Sequence, residues 1–193
     1  MGLAQGRRDW VVGFLDETWW SRLAQPVLQT WSEQALRLVE KAKAKTDTQA
    51  TALACNGVLR TDTNRVLLRF VEGQPVSQVT IEFLAWIVAQ LGRARKRVFV
   101  LVWDNANWHI SRMVRTWIRE HNRSVKRRGR GCRILECRLP SKSPWLNPIE
   151  PRWMHGKKAI VEPERVLTID EVVSRVCEHF SCPRTPHLVQ HVL

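Results

Sequence analysis

Apolar residues along the chain fall into short unbroken runs and a few helical repeats. Val11-Val12-Gly13-Phe14-Leu15 is nearly continuous, the pattern of a strand buried on both faces, and it closes on Asp16-Glu17. Residues 21 to 48 are looser, with Pro26 and the alternating Lys41 to Lys45. Thr51 to Cys55 and Arg65 to Val71 read as two further strands, with Asn56-Gly57 as a turn signal between them. Gln74-Pro75-Val76-Ser77 opens a helix in which Val79, Phe83, Trp86, Ile87 and Leu91 recur at helical spacing, and Gly92 supplies a stop. Arg97 to Trp103 is the strongest strand pattern and runs into Asp104-Asn105-Ala106-Asn107. A helix carrying Met113, Val114, Trp117 and Ile118 follows, then a basic loop from Arg123 to Gly131 and a short strand from Arg133 to Arg138. Asn147, Pro148 and Glu150 suit the N-cap, N1 and N3 positions of a helix continued by Trp153, Met154 and Ile160. Thr168 to Glu171 is a capping box for a last helix reaching about Phe180.

Three early antiparallel strands followed by βαβα and a final helix predict an α/β domain: a mixed five-stranded sheet flanked by helices. This is the element order of the ribonuclease H-like fold. There the first and fourth strands are neighbours at the sheet centre. Asp16 and Asp104 are then expected at one edge, with Glu150 brought to them by its helix. The 193 residues suit a single domain, 1–193, with a sizeable core.

Charge adds a partner to this picture. The chain has 31 Lys and Arg against 18 Asp and Glu, a net +13, which favours a polyanion and most simply nucleic acid. No apolar run approaches the ~20 residues of a spanning helix, and no early apolar segment reads as a signal peptide. A cytoplasmic protein that does not engage the membrane is expected. The five cysteines are an odd count without an export signal, which argues for free thiols. Cys132 and Cys137 flank a strand at an odd separation, so they point to opposite faces and argue against zinc. Most of the ten tryptophans are expected in the core or at strand edges, with a few available to stack on bases.

The candidate chemistry lies in the carboxylates. Mg²⁺ is hard and prefers oxygen ligands, and two ions roughly 3.5–4 Å apart can stabilise both the attacking and the leaving oxygen of a phosphodiester. Asp16, Asp104 and Glu150 suit such a site. Each also has a plainer reading. Asp16 can cap the segment after its strand, Asp104 can form an Asx-turn with Asn105 or Asn107, and Glu150 can be the capping-box partner of Asn147. Their co-occurrence, in order and on suitable elements, favours the metal site.

Three segments carry a family resemblance: Phe14-Leu15-Asp16-Glu17, Val102-Trp103-Asp104-Asn105-Ala106-Asn107-Trp108-His109, and Leu139-Pro140 through Pro148-Ile149-Glu150 with Trp153 following. The D-N-A-x-x-H and S-P-x-L-N-P-I-E blocks resemble the catalytic domain of the DDE transposases, in the bacterial insertion-sequence branch of the mariner superfamily. The resemblance spans roughly residues 10 to 182. It implies metal-dependent DNA cleavage that leaves a 3′-hydroxyl, then strand transfer into a target, typically at TA. It implies Asp16, Asp104 and Glu150 as the metal-binding triad for Mg²⁺ or Mn²⁺, with two ions expected. It implies double-stranded DNA as partner, a homodimer, and a place near the bacterial nucleoid. Asn105 and His109 are then groups behind the triad or contacts to the scissile strand. The plainer reading of His109 is a solvent-facing residue in a first helical turn.

The sequence departs from the family pattern in three places. The interval from Asp104 to Glu150 is long, by about the length of the Lys126–Arg133 run, which reads as an insertion before the last core strand. Its Lys126, Arg127, Arg128 and Arg130 are candidate phosphate contacts, or else a solvated loop. Lys142 stands where the family commonly has an aromatic residue or His, and is a further candidate phosphate contact. The first strand begins about ten residues from Met1, so an N-terminal helix-turn-helix module is expected to be absent, with sequence recognition coming from a separate module. The alternatives are a remnant that binds DNA without cutting it, or another ribonuclease H-like nuclease.

Overall fold

The computed structural model describes residues 6–23, 44–141, 143–160 and 165–190. Their strands are β1 (Trp10–Ser21), β2 (Ala52–Arg60), β3 (Val66–Glu72), β4 (Val98–Trp103), β5 (Arg133–Arg138) and β6 (Leu188–Val189). The helices are α1 (Ser77–Arg93), α2 (Arg112–Arg128), α3 (Ile149–Ile160) and α4 (Ile169–His179). The strands form one mixed sheet in the order β5-β4-β1-β2-β3-β6. β1 pairs antiparallel with β2 and parallel with β4, so the first and fourth strands are central neighbours as expected.

Alternation along β1 divides the core into two layers. Val11 and Leu15 face α1 and α2, joining Phe83, Ile87, Leu91, Phe99, Leu101, Trp103, Val114 and Ile118. Phe14 and Trp20 face α3 and α4, joining Phe70, Ile149, Trp153, Val172 and Val176. The alternation continues past the apolar run, so Asp16 belongs to the α3 side and Glu17 to the α1–α2 side.

Six expectations change on contact with the structure. The sheet has a sixth strand, β6, whose two residues extend the β3 edge. β1 does not stop at Leu15: it pairs with β2 through Ser21, with Asp16 opposite Gly57. Asn56-Gly57 is not a turn but lies inside β2, and the chain reverses at residues 61–64. The tertiary demand at Gly57 is space, since a Cβ there would sit 2.3 Å from Cη2 of Trp153. α1 runs through Gly92 to Arg93. The basic run is not a loop: Lys126, Arg127 and Arg128 are the last turn of α2, which Gly129 ends in a left-handed C-cap at φ 65°. Lys and Arg are good helix formers, and cations favour a helix C-terminus. The sixth change concerns Asn147 and belongs to the site. The Thr168–Glu171 capping box is present as expected. All five cysteines are free thiols, with Cys132 buried and Cys137 exposed. Lys142 and most of the 21–48 stretch lie outside the described residues.

Candidate active site

The parallel register of β1 and β4 ends at Phe14 opposite Val102. Asp16 and Asp104 each lie two residues further on, so they stand at one level, Asp16 still within β1 and Asp104 just past the end of β4. Beyond that pair β1 continues with β2, while β4 breaks into the turn before α2. The strands diverge there, and a crevice opens at the carboxyl ends of parallel strands, the usual ligand position in open α/β sheets. A cleft of about 410 Å³ occupies it, lined by residues that include Asp16, Asp104, Asn105, Asn147 and Glu150. The three acidic residues singled out from sequence thus share one cavity.

Both aspartates accept hydrogen bonds from side chains. Trp153 donates its Nε1–H to Oδ2 of Asp16 at 3.1 Å. His109 donates Nδ1–H to Oδ1 of Asp104 at 2.7 Å, and the backbone N–H of Ala106 donates to the same oxygen at 3.0 Å. The second of these bonds is the Asx-turn anticipated for Asp104, although it engages Ala106 and not an asparagine. The plainer reading therefore coexists with the functional one, because both bonds fall on Oδ1 and Asp104 still lines the cleft.

Asn147 does not cap α3 with its side chain. It is buried, its Nδ2 donates to the Leu15 carbonyl at 3.3 Å, and its Oδ1 has no hydrogen-bond partner among the described residues. The helix begins at Ile149, and the Glu150 N–H donates to the Asn147 carbonyl at 3.1 Å. Glu150 keeps its carboxylate in the cleft.

Electrostatics match a site built for a cation. Burial first, and then the charges of Glu17, Glu150 and Asp104, push the Asp16 carboxyl up to about 7. Burial and the Asp104 charge raise Glu150 above the usual carboxylate range. Asp104 moves the other way, held low chiefly by the hydrogen bond from His109. Converging carboxylates with raised pKa values are destabilised until a proton or a cation neutralises them.

Among the described residues, no three His, Cys, Asp or Glu side chains stand close enough together to hold an ion as they are. The donor set nevertheless fits a hard divalent cation. It comprises three carboxylates in one cleft, Oδ2 of Asp104 free of hydrogen bonds, and the unpartnered amide oxygen of Asn147, which lines the same cleft. To hold one ion together, the three carboxylates would have to draw closer than they stand.

The other expected residues divide. Asn105 lines the cleft, but its Nδ2 donates to the Leu139 carbonyl at 2.9 Å, bracing the turn after β4 against the end of β5. His109 is 1% exposed and lies behind Asp104, which excludes both a solvent-facing role and direct contact with a nucleic-acid strand. Lys126, Arg127, Arg128 and Arg130 are exposed and are not part of the cleft lining. They sit at the far end of α2, roughly 20 Å along the helix from its start beside Asp104. Sequence reasoning missed three groups: Glu17, which accepts from His109 Nε2 at 2.9 Å, Trp153 as a donor to Asp16, and the buried amide of Asn147.

Sheet order, helix placement and the cleft between β1 and β4 define a ribonuclease H-like α/β fold. Within that class the chain belongs to the DDE superfamily endonuclease family, whose model matches residues 11–173. Solved structures agree on the fold. The Mos1 transposase paired-end complex with left transposon end is 17% identical, with a TM-score of 0.62, over 91% of this chain and 48% of that one. The Mos1 mariner paired end complex with Mn is 15% identical, with a TM-score of 0.62 and the same 91% and 48% coverage. The mariner Mos1 paired end complex with Mg is 17% identical, with a TM-score of 0.58, over 89% of this chain and 48% of that one. The chain spans about half the length of these structures. No protein with a curated description matches the chain in sequence. Among the described residues, no helix is long and apolar enough to cross a membrane.

Proposed function

We propose that this chain is the catalytic domain of a transposase of the bacterial insertion-sequence branch of the mariner superfamily, acting on double-stranded DNA. Asp16, Asp104 and Glu150 hold Mg²⁺ or Mn²⁺, as two ions, and the bound ions supply Lewis-acid chemistry for phosphodiester cleavage and strand transfer. The observation that carries this reading is the shared cleft of the three carboxylates at the divergence of β1 and β4. Family membership and the likeness to Mos1 complexes, with Mn in one and Mg in another, support it. Asn105 braces the turn that carries Asp104. Element ends and a TA target are the proposed DNA, read by a recognition module and held by a homodimer near the nucleoid.

The exposed face of α2 suits the flanking duplex. Arg112, Arg115, Arg119, Arg123, Lys126 and Arg127 are exposed and recur at helical spacing opposite the buried Val114, Ile118 and Val125. They form a cationic row about 22 Å long that starts beside the cleft and ends at Arg128 and Arg130. Such a row fits a phosphate backbone. Lys142 is a further proposed phosphate contact.

The test is nicking of supercoiled DNA in Mn²⁺, with Asp104→Ala in parallel. Nicked circles from the wild type and none from the variant are expected, with DNA affinity retained or raised in the variant. Equal nicking by both would remove Asp104 from the reaction. A second reading, a remnant that binds DNA without cutting, is favoured by the separation of the three carboxylates. Tight binding by the wild type without nicking would support it.

A further inference from the structure

We propose that Glu17 and His109 are positioning residues that determine which oxygen of Asp104 is offered to the divalent ion, an inference that rests on the carboxylate site proposed above. His109 connects two strands through its ring. Nδ1–H reaches Oδ1 of Asp104 at the end of β4, and Nε2–H reaches Oε1 of Glu17 in β1. Both partners are carboxylates that accept, so both ring nitrogens donate.

The ring has little freedom. It stacks on Trp103 with centroids 4.6 Å apart and planes 21° from parallel, and Trp108 meets its edge at 6.0 Å and 77°. His109 is 1% exposed and Glu17 is 10% exposed, whereas the Asp104 side chain is 56% exposed. The chain of groups thus runs from a buried anchor to a carboxylate at the cleft.

Two consequences follow from the bonding. Oδ1 of Asp104 already accepts from His109 and Ala106, so the carboxylate's free lone pairs lie mainly on Oδ2. Glu17 is adjacent to Asp16 in the strand and points to the opposite face. The strut therefore fastens the turn carrying Asp104 to the strand carrying Asp16, and the spacing of the two aspartates depends on it. A carboxylate–imidazole–carboxylate chain whose imidazole is buried and whose inner carboxylate is nearly so is a poor stabiliser in itself, because desolvating those charges is costly. Its attachment to one oxygen of a cleft carboxylate is what points to positioning, as partners behind metal ligands do elsewhere.

The test measures Mn²⁺ affinity of the full chain by calorimetry without DNA, for the wild type, Glu17→Ala and Glu17→Gln. Melting temperature and DNA affinity in EDTA are measured alongside. Glu17→Ala is expected to weaken Mn²⁺ binding by about 10–100-fold. Glu17→Gln keeps an oxygen that accepts from His109 and is expected to recover most of the loss. DNA affinity in EDTA is expected to be unchanged. Glu17→Met, similar in volume but without the acceptor, carries the test if Glu17→Ala does not fold. Wild-type Mn²⁺ affinity in a folded Glu17→Ala or Glu17→Met overturns the proposal. So does a Glu17→Gln no better than Glu17→Ala, or a wild-type chain that binds no Mn²⁺. Weakened binding in Glu17→Ala supports the inference even where the wild type nicks no DNA, so its failure and that of the proposed function are separable.

Discussion

Asp16 and Asp104 stand at one level on neighbouring parallel strands, yet opposite layers of the molecule hold them and their carboxyl pKa values move in opposite directions. Asp16 sits within a strand, bonded by Trp153 from the α3 layer, with its carboxyl pushed up to about 7 by burial and by neighbouring carboxylates. Asp104 sits just past a strand end, bonded by His109 from the α1–α2 layer, and its carboxyl is held low. One aspartate is a charge waiting for a cation; the other is already paired. A site needs both. In the proposed metal site the paired carboxylate would give a fixed anionic reference, and the repelled one would gain on neutralisation by a cation.

The largest expected effect separates the two aspartates by stability. Asp16→Asn and Asp104→Asn should both abolish nicking. Without metal at pH 8, Asp16→Asn should raise the melting temperature, by about 2–4 °C for each kcal/mol of relieved repulsion and desolvation. Asp104→Asn should lower it, because His109 loses its charged partner. Differential scanning fluorimetry reads both, and shifts of the same sign would remove the contrast.

Next in size is the donor from the α3 layer. Trp153→Phe keeps a buried aromatic ring but removes the Nε1–H that Asp16 accepts, so Mn²⁺ affinity should fall about tenfold, alongside a lower melting temperature from the smaller ring in the core. Gly57→Ala tests the same layer by steric means. Its Cβ would meet the Trp153 ring at 2.3 Å, and overpacking of this kind costs about 1–3 kcal/mol, read by chemical denaturation.

The pH dependence follows from Asp16. Its folded pKa of about 7 lies above the ordinary 3.8, so the folded protein holds a proton that the unfolded chain has released. The stability from that proton is fully present below 3.8 and is lost as pH rises through about 7. Ion binding requires the ionised carboxylate, so Mn²⁺ affinity should climb as pH rises to about 7 and flatten above it. Calorimetric titrations across that range check the sign, and affinity that falls with rising pH would contradict it. The smallest effect concerns the cationic row. Neutralising Arg119, Arg123, Lys126 and Arg127 should reduce the salt slope of DNA binding by up to about 0.9 log unit per lost phosphate contact. An unchanged slope would make α2 a solvated face.

The three carboxylates that share the cleft were legible because their three segments are local patterns. Apolar runs end at or near an acid, and Asn147-Pro148-Ile149-Glu150 sits at a helix start. What surrounds the triad was not legible, for two physical reasons. Its partners are distant in sequence: His109 and Glu17 are 92 residues apart, and Trp153 and Asp16 are 137 apart. Local signals were also overridden by tertiary ones. Asn56-Gly57 carries turn chemistry, but the fold uses Gly57 as the bare patch on which Trp153 rests. Asn147 carries cap chemistry, but its amide is spent on the Leu15 carbonyl of β1. The charge of the Lys126–Arg128 run suggests a loop, but its helix propensity and the Gly129 stop point to the helix end that forms. β6 has only two residues and no pattern to find.

The most direct test of the carboxylate site is a crystal soaked in Mn²⁺ and examined by anomalous scattering. The expected result is a peak among Asp16, Asp104 Oδ2 and Glu150, with the side chains drawn together and Asp104 Oδ1 still bonded to His109. Manganese bound elsewhere, or three carboxylates left apart at saturating Mn²⁺, would contradict the account.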